Sequence, residues 1–233
     1  MIEAEWWEYD SLDELADAVA GDVGFIVESA IDARGASLIA VPGGTTGPAV
    51  YSKLAAQSLP WKKVTIIPTD DRLVPMDNEL ANVRAIAKAF LPTGARVIPI
   101  ATEIADYKLA GNSADARLQD FHWPPDLVWL GMGADGHTAS IFTGPDFQEA
   151  LDAPKARRAI GVMPDPLPPE APVARVTLTR ASILAARTVL ITITGQQKRE
   201  VLEQAIADGQ SSKTPIGRVL AEAEQPIDIH WCP

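Results

Sequence analysis

The chain has 233 residues, 47% hydrophobic and 22% charged, which is ordinary for a globular protein and ample for one sizeable core. Its 20 Lys and Arg against 31 Asp and Glu give a net charge of −11, which repels phosphate backbones and anionic membranes and sets nucleic-acid and membrane partners aside. The apolar runs are strand-sized, the first ten residues carry no basic-then-apolar leader, and the single Cys232 has no internal partner, so a cytoplasmic protein is expected. In chain order, residues 11–35 carry apolar positions at helical spacing, with Ser11 and Glu14 spaced as a capping box and Gly35 as a stop. SLIAV (37–41) reads as a strand running into PGGTTG (42–47), then a helix over 48–57. Residues 63–71, KVTIIPTDD, read as a strand into a polar turn, and residues 79–91 as a helix ended by Pro92. RVIPI (96–100) is a strand, 113–121 is helical, and DLVWLG (126–131) is a strand. RAIGVM (158–163), ARVTLT (174–179) and TVLITI (188–193) are strands, 196–207 is an amphipathic helix, and TPIGRVLAEA (214–223) and IDIHW (227–231) close the chain.

Strands that alternate with helices, several apolar almost throughout, predict an α/β fold with a largely parallel sheet covered on both faces. The Pro-rich segment 164–172 is short and flanked by strands, so it reads as a loop within one domain spanning 1–233. In such sheets ligands sit beyond the carboxyl ends of the strands, and three polar clusters follow directly on strand-like runs.

The first is Gly43-Gly44-Thr45-Thr46, before a helix. Glycines admit backbone N–H groups close to a ligand, and threonine hydroxyls with a helix N-terminus suit a phosphate, although two glycines also serve a plain tight turn. The pattern is neither a Walker loop nor a dinucleotide fingerprint, so no nucleotide cofactor is implied. The second is Thr69-Asp70-Asp71-Arg72. Adjacent extended residues point opposite ways, so at most one of Asp70 and Asp71 enters a given cleft, while the fork of Arg72 suits a phosphate or a carbonyl oxygen. The third is GMGADGHTASIFTG (131–144), in which Gly131 and Gly133 give a loop able to pack on a ligand and Asp135-Gly136-His137 ends the turn. No second His or Cys lies at ligand spacing, so no metal is expected, and His137 reads as a proton-transfer group. His122 and His230 have no such setting. Arg175 opens a strand and Lys198 follows Gly195 at a strand-to-helix turn, and together with the glycine–threonine turn they suit a phosphate dianion.

On PGGTTGPAVYSKLA, TDDRLVPMDNELANVRAI, GMGADGHTASIFTG, ARVTLT and GQQKREVLEQA, in that order, the chain resembles the 6-phosphogluconolactonases of the glucosamine-6-phosphate isomerase/deaminase superfamily. The resemblance covers residues from about 37 to about 205. It implies a three-layer αβα sandwich with a Rossmann-like sheet, of the kind shared with ribose-5-phosphate isomerase. It also implies cofactor-free hydrolysis of 6-phospho-D-glucono-1,5-lactone to 6-phosphogluconate in the oxidative pentose phosphate pathway, by a monomer or small homo-oligomer. Carried over, the catalytic histidine falls on His137 and the key arginine on Arg72. Phosphate-binding groups fall on Gly43, Gly44, Thr45, Arg175 and Lys198, and the substrate-side asparagine on Asn82. Thr46 and Asp70 join the expected substrate contacts, and Asp135 holds the loop or the imidazole. The chain departs from the family pattern at Asp71 (glutamate elsewhere), Ala81 (serine) and Ala134 (glutamate). The deaminase branch carries a carboxylate five residues after its histidine, where this chain has Phe142, so deamination is the second reading. A non-catalytic sugar-phosphate sensor comes third, because no basic helix-turn-helix precedes the first strand.

Overall fold

The computed structural model describes residues 2–233. The elements run β1 (Ala4–Glu8), α1 (Leu12–Arg34), β2 (Ser37–Val41), α2 (Gly47–Ala55), β3 (Val64–Pro68), β4 (Asp70–Arg72), α3 (Asn82–Phe90), β5 (Arg96–Val97), α4 (Tyr107–Leu118), β6 (Leu127–Gly131), α5 (Phe147–Asp152), β7 (Ala159–Val162), β8 (Arg175–Leu178), α6 (Arg180–Ala185), β9 (Thr188–Thr194), α7 (Gln196–Asp208), α8 (Pro215–Leu220) and β10 (Ile227–Cys232). Helix α1 begins as its sequence requires: the Ser11 side chain accepts from Glu14 N, and Gly35 ends the helix at φ 82°. Among the described residues no helix is long and apolar enough to cross a membrane.

Seven strands form one parallel sheet in the order β1-β10-β9-β6-β2-β3-β5. Alternating residues of each strand enter different cores, which is why these runs are apolar throughout. Leu38, Ala40, Val128 and Leu130 pack on one side with Ala110, Leu118 and Val219, while Ile39, Val41, Leu127 and Trp129 pack on the other with Val19, Val23, Tyr51 and Phe90. Helices therefore cover both faces, the layered architecture expected for such a sheet. Trp129 is fully buried and donates Nε1–H to Thr192 Oγ1 at 3.0 Å, so its one polar atom is satisfied within the core.

Helix α4 lies at Tyr107–Leu118 and not at 113–121, the short helices α5 and α6 had no counterpart in the sequence reading, and three strands also depart from it. Asp70–Arg72, read as a polar turn, is a strand: β4, β8 and β7 form a separate antiparallel sheet. Thr69 joins the two sheets, donating its N–H to Val41 O and accepting from Leu178 N, both at 2.9 Å. Three charged residues carry no apolar alternation, and their extended conformation comes from pairing with a strand more than a hundred positions later. The acidic AEWWE near the N-terminus forms β1, an edge strand paired with β10. RVIPI shortens to Arg96–Val97, since Pro99 cannot donate to a ladder.

Candidate active site

The carboxyl ends of β2, β6 and β9 and the second sheet enclose a cavity of about 250 Å³. Its lining includes Gly43, Gly44, Thr45, Thr46, Asp70, Arg72, Asn82, His137, Arg175 and Lys198, so ten residues singled out from sequence meet in one place. Asp135, the eleventh, stands behind the imidazole and lines an adjoining cleft of about 440 Å³.

The loop after β6 is folded around His137. Gly133 N donates to His137 O at 2.9 Å and Gly136 N to Gly133 O at 3.0 Å, while Thr138 Oγ1 ties the loop back to Gly131 O at 2.9 Å. A Cβ on Gly133 would run into the imidazole, so this glycine is required by His137 itself and not only by a ligand. Asp135 Oδ1 lies 2.5 Å from His137 Nδ1 and also accepts from His137 N at 3.1 Å. Burial alone would raise the Asp135 pKa, but the bond to and the charge of His137 outweigh it and hold the carboxyl below its ordinary value. The imidazole is thereby fixed by Nδ1, and Nε2 has no hydrogen-bond partner among the described residues.

Strands β4 and β8 place Arg72 directly opposite Arg175. Like charges at facing positions are destabilising, and both guanidinium Nε atoms are buried without a partner. The other donors are only partly used. Arg72 Nη1 bonds Leu80 O at 3.2 Å and the Asn82 side-chain oxygen, and Arg175 Nη2 bonds Ala171 O at 3.2 Å. Lys198 sits in the first turn of α7, after Gly195. Burial lowers its pKa while Asp135 opposes the shift, and burial likewise lowers that of Arg175, opposed by Asp70 and reinforced by Arg72. Among the described residues none of these three cations has a carboxylate within ion-pair range, although the chain carries excess acid and pairs many of its other cations. A cluster of desolvated, unpaired cations is an anion site in waiting.

The carboxylates of the DDR segment divide as alternation requires. Asp70 faces the cavity and accepts from Ser140 Oγ at 2.5 Å and Thr69 Oγ1 at 3.1 Å. Asp71 turns away and accepts from Arg72 N, Asn82 N and Val83 N at 2.8, 2.6 and 3.0 Å, capping α3. Burial raises its pKa to about 6 against those three bonds. The N-cap position itself is Ala81, without a side-chain bond, and the Asp71 carboxylate serves the helix start in its place. Asn82 donates to Asp70 O at 2.8 Å, and a Cβ on Gly43 would collide with its amide, so the glycine turn and the arginine strand close on each other through this residue. Gly44–Thr46 lead into α2, and Thr46 makes no capping bond, which leaves its hydroxyl free.

Sequence reasoning missed Glu170 and Thr192 in the lining, Ser140 on Asp70, and the contact of Phe142 with His137. Phe142 was visible in GMGADGHTASIFTG, but only as a missing carboxylate. Glu170 lies in the Pro-rich loop, whose path no local pattern predicts. Among the described residues no group of three or more His, Cys, Asp or Glu is placed to hold a metal ion.

An αβα sandwich with unpaired cations and a carboxylate-bound histidine gathered at the carboxyl ends of its strands has the layout of an α/β enzyme site suited to an anionic ligand. Residues 10–231 match the model of the family described as glucosamine-6-phosphate isomerases/6-phosphogluconolactonase, and the chain belongs to that family. It is 37% identical to a 6-phosphogluconolactonase of Rhizobium meliloti over 97% of each chain, and 36% identical to one of Mesorhizobium japonicum over 98% of this chain and 95% of that one. The crystal structure of a 6-phosphogluconolactonase from Shewanella baltica superposes with a TM-score of 0.90 at 29% identity, covering 99% of this chain and 98% of that one.

Proposed function

We propose that the chain is a 6-phosphogluconolactonase, hydrolysing 6-phospho-D-glucono-1,5-lactone to 6-phospho-D-gluconate. The observation that carries this reading is the unpaired Arg72–Arg175 pair in one small cavity with an imidazole whose Nδ1 is held by Asp135. The named relatives support it over nearly the full length.

The phosphate docks on the Gly43–Thr46 turn, Arg175 and Lys198. The bond to Asp135 keeps the proton on Nδ1 and a lone pair on Nε2. His137 then takes a proton at Nε2 from a water, which attacks the lactone carbonyl. The tetrahedral oxyanion is met by Arg72 or by loop N–H groups, the ring C–O bond breaks, and the imidazolium returns its proton to the departing ring oxygen. Lactone hydrolysis needs one base and oxyanion donors. The aldose–ketose chemistry of the deaminase branch needs a further carboxylate at the position that Phe142 occupies.

The test is a coupled assay of lactone loss, corrected for spontaneous hydrolysis, run beside ammonia release from glucosamine 6-phosphate. Lactone loss well above background without ammonia release is the expected result. Arg175→Ala should raise KM roughly 10- to 100-fold, since a charge-assisted bond contributes about 1.5–3 kcal/mol. Wild-type protein that leaves the spontaneous rate unchanged would overturn the proposal.

A further inference from the structure

Phe142 touches both functional ends of the cavity. The His137 ring stacks on it with centroids 4.1 Å apart and planes 22° from parallel, and Arg175 Cζ lies 5.0 Å from its centroid. The two neighbours need different things from that ring. The bond between Asp135 and Nδ1 holds one edge of the imidazole, and the Phe142 ring covers its flat face, so the two contacts together restrict the plane of the ring. Arg175 is 2% exposed, makes one bond to Ala171 O, and has a partnerless Nε. It must be held in place without its N–H donors being consumed. An aromatic face does this, because it attracts the guanidinium through its quadrupole and leaves the in-plane donors free. A carboxylate at position 142 would instead pair with the guanidinium and occupy those donors. An aliphatic side chain would fill the volume without offering a flat, electron-rich face.

We propose that Phe142 is a positioning residue that sets the plane of the His137 imidazole and supports the Arg175 guanidinium in its unneutralised state, so that one ring aligns proton transfer with phosphate anchoring. The proposal rests on the lactonase reading of this cavity. It makes a signature that neither neighbour gives alone: one substitution at 142 must damage turnover and anion binding together.

The experiment compares wild type with Phe142→Leu and Phe142→Tyr in the full chain. It reads kcat and KM for the lactone, the affinity for inorganic phosphate by calorimetry, and the melting temperature. Phe142→Leu should lower kcat about 10- to 100-fold, the scale of a misaligned catalytic group. It should also weaken phosphate binding roughly three- to tenfold, as loss of a desolvated cation–π contact implies. Phe142→Tyr keeps the ring face and should restore both quantities to within about twofold of wild type. Phe142→Met serves the same purpose as the leucine variant if that one does not fold. A folded Leu or Met variant with wild-type kcat and phosphate affinity, or one in which only one of the two changes, would overturn the proposal, as would failure of the tyrosine variant to restore them. Phosphate binding needs no turnover. An inactive wild type would therefore sink the lactonase reading alone, and the Arg175 half of the proposal would stand or fall on the calorimetry.

Discussion

Two histidines of this chain are stacked on aromatic rings with an aspartate nearby, and they are built for opposite ends. His137 stacks on Phe142 with Asp135 at 2.5 Å from Nδ1. His230 stacks on Tyr9 and Trp7, with centroids 5.8 and 6.5 Å away, its Nδ1 bonded to Tyr9 Oη at 2.9 Å and its Nε2 3.6 Å from Asp22. What separates them is access and the nature of the tie. The His137 side chain keeps 23% of its exposure and lines a cavity with three unpaired cations. His230 is 2% exposed, and burial lowers its pKa to about 4, a shift that the largely exposed Asp22 does not offset. One imidazole presents an unbonded Nε2 to a ligand cavity, and the other is a neutral packing element with one hydrogen bond.

Removing the two rings should have opposite consequences. His137→Ala should lower kcat roughly 10²- to 10⁴-fold, the worth of a positioned general base. His230→Ala should leave turnover near wild type while lowering stability. Background-corrected lactone assays and melting curves on both variants check this, and equal rate losses in the two would erase the distinction. A smaller effect is expected behind the imidazole. Asp135→Asn keeps an acceptor on the loop but no longer favours the Nδ1–H tautomer as strongly, and kcat should fall about 10- to 100-fold with KM little changed, by analogy with outer partners of a functional histidine. A KM change alone would reassign Asp135 to substrate binding.

His137 was legible because GMGADGHTASIFTG concentrates glycines, a carboxylate and an imidazole just past a buried strand. His230 offered no such setting, since it lies inside the strand-like IDIHW, which is β10. The parallel sheet was legible for a similar reason: strands buried on both faces are written as unbroken apolar runs such as SLIAV and TVLITI. The second sheet was hidden. Its β4 is Asp-Asp-Arg, and its pairing with β8 is a non-local event that brings Arg72 opposite Arg175. Asp71 illustrates the same limit. Its charge is plain in the sequence, but its work, three backbone N–H bonds at the start of α3, depends on a helix that begins eleven positions later. Phe142 is subtler still, because apolar residues are common and only geometry shows which two neighbours share this ring.

The smallest effect is read in stability and tests the inert side of the comparison. The folded pKa of His230 is about 4, below the ordinary value of 6.5. In that window the unfolded chain binds a proton that the folded chain refuses, so stability rises with pH from about 4 to 6.5, is fully present above it, and is lost as pH falls. Integrated over the window, the loss is on the order of 3 kcal/mol. His230→Phe retains the ring stack and removes the titration. It also leaves the Tyr9 hydroxyl without its partner, a cost of about 1 kcal/mol. The raised carboxyl of Asp228, shifted chiefly by burial, titrates in wild type and variant alike and cancels in the difference; Asp22, raised by burial and 3.6 Å from the replaced imidazole, is taken out by making the comparison in an Asp22→Asn background. The expected result is therefore a variant less stable than wild type at neutral pH, with the gap narrowing or reversing near pH 5. Urea midpoints for both proteins across that range decide it, and a gap that stays constant with pH would mean that His230 titrates normally in the folded chain.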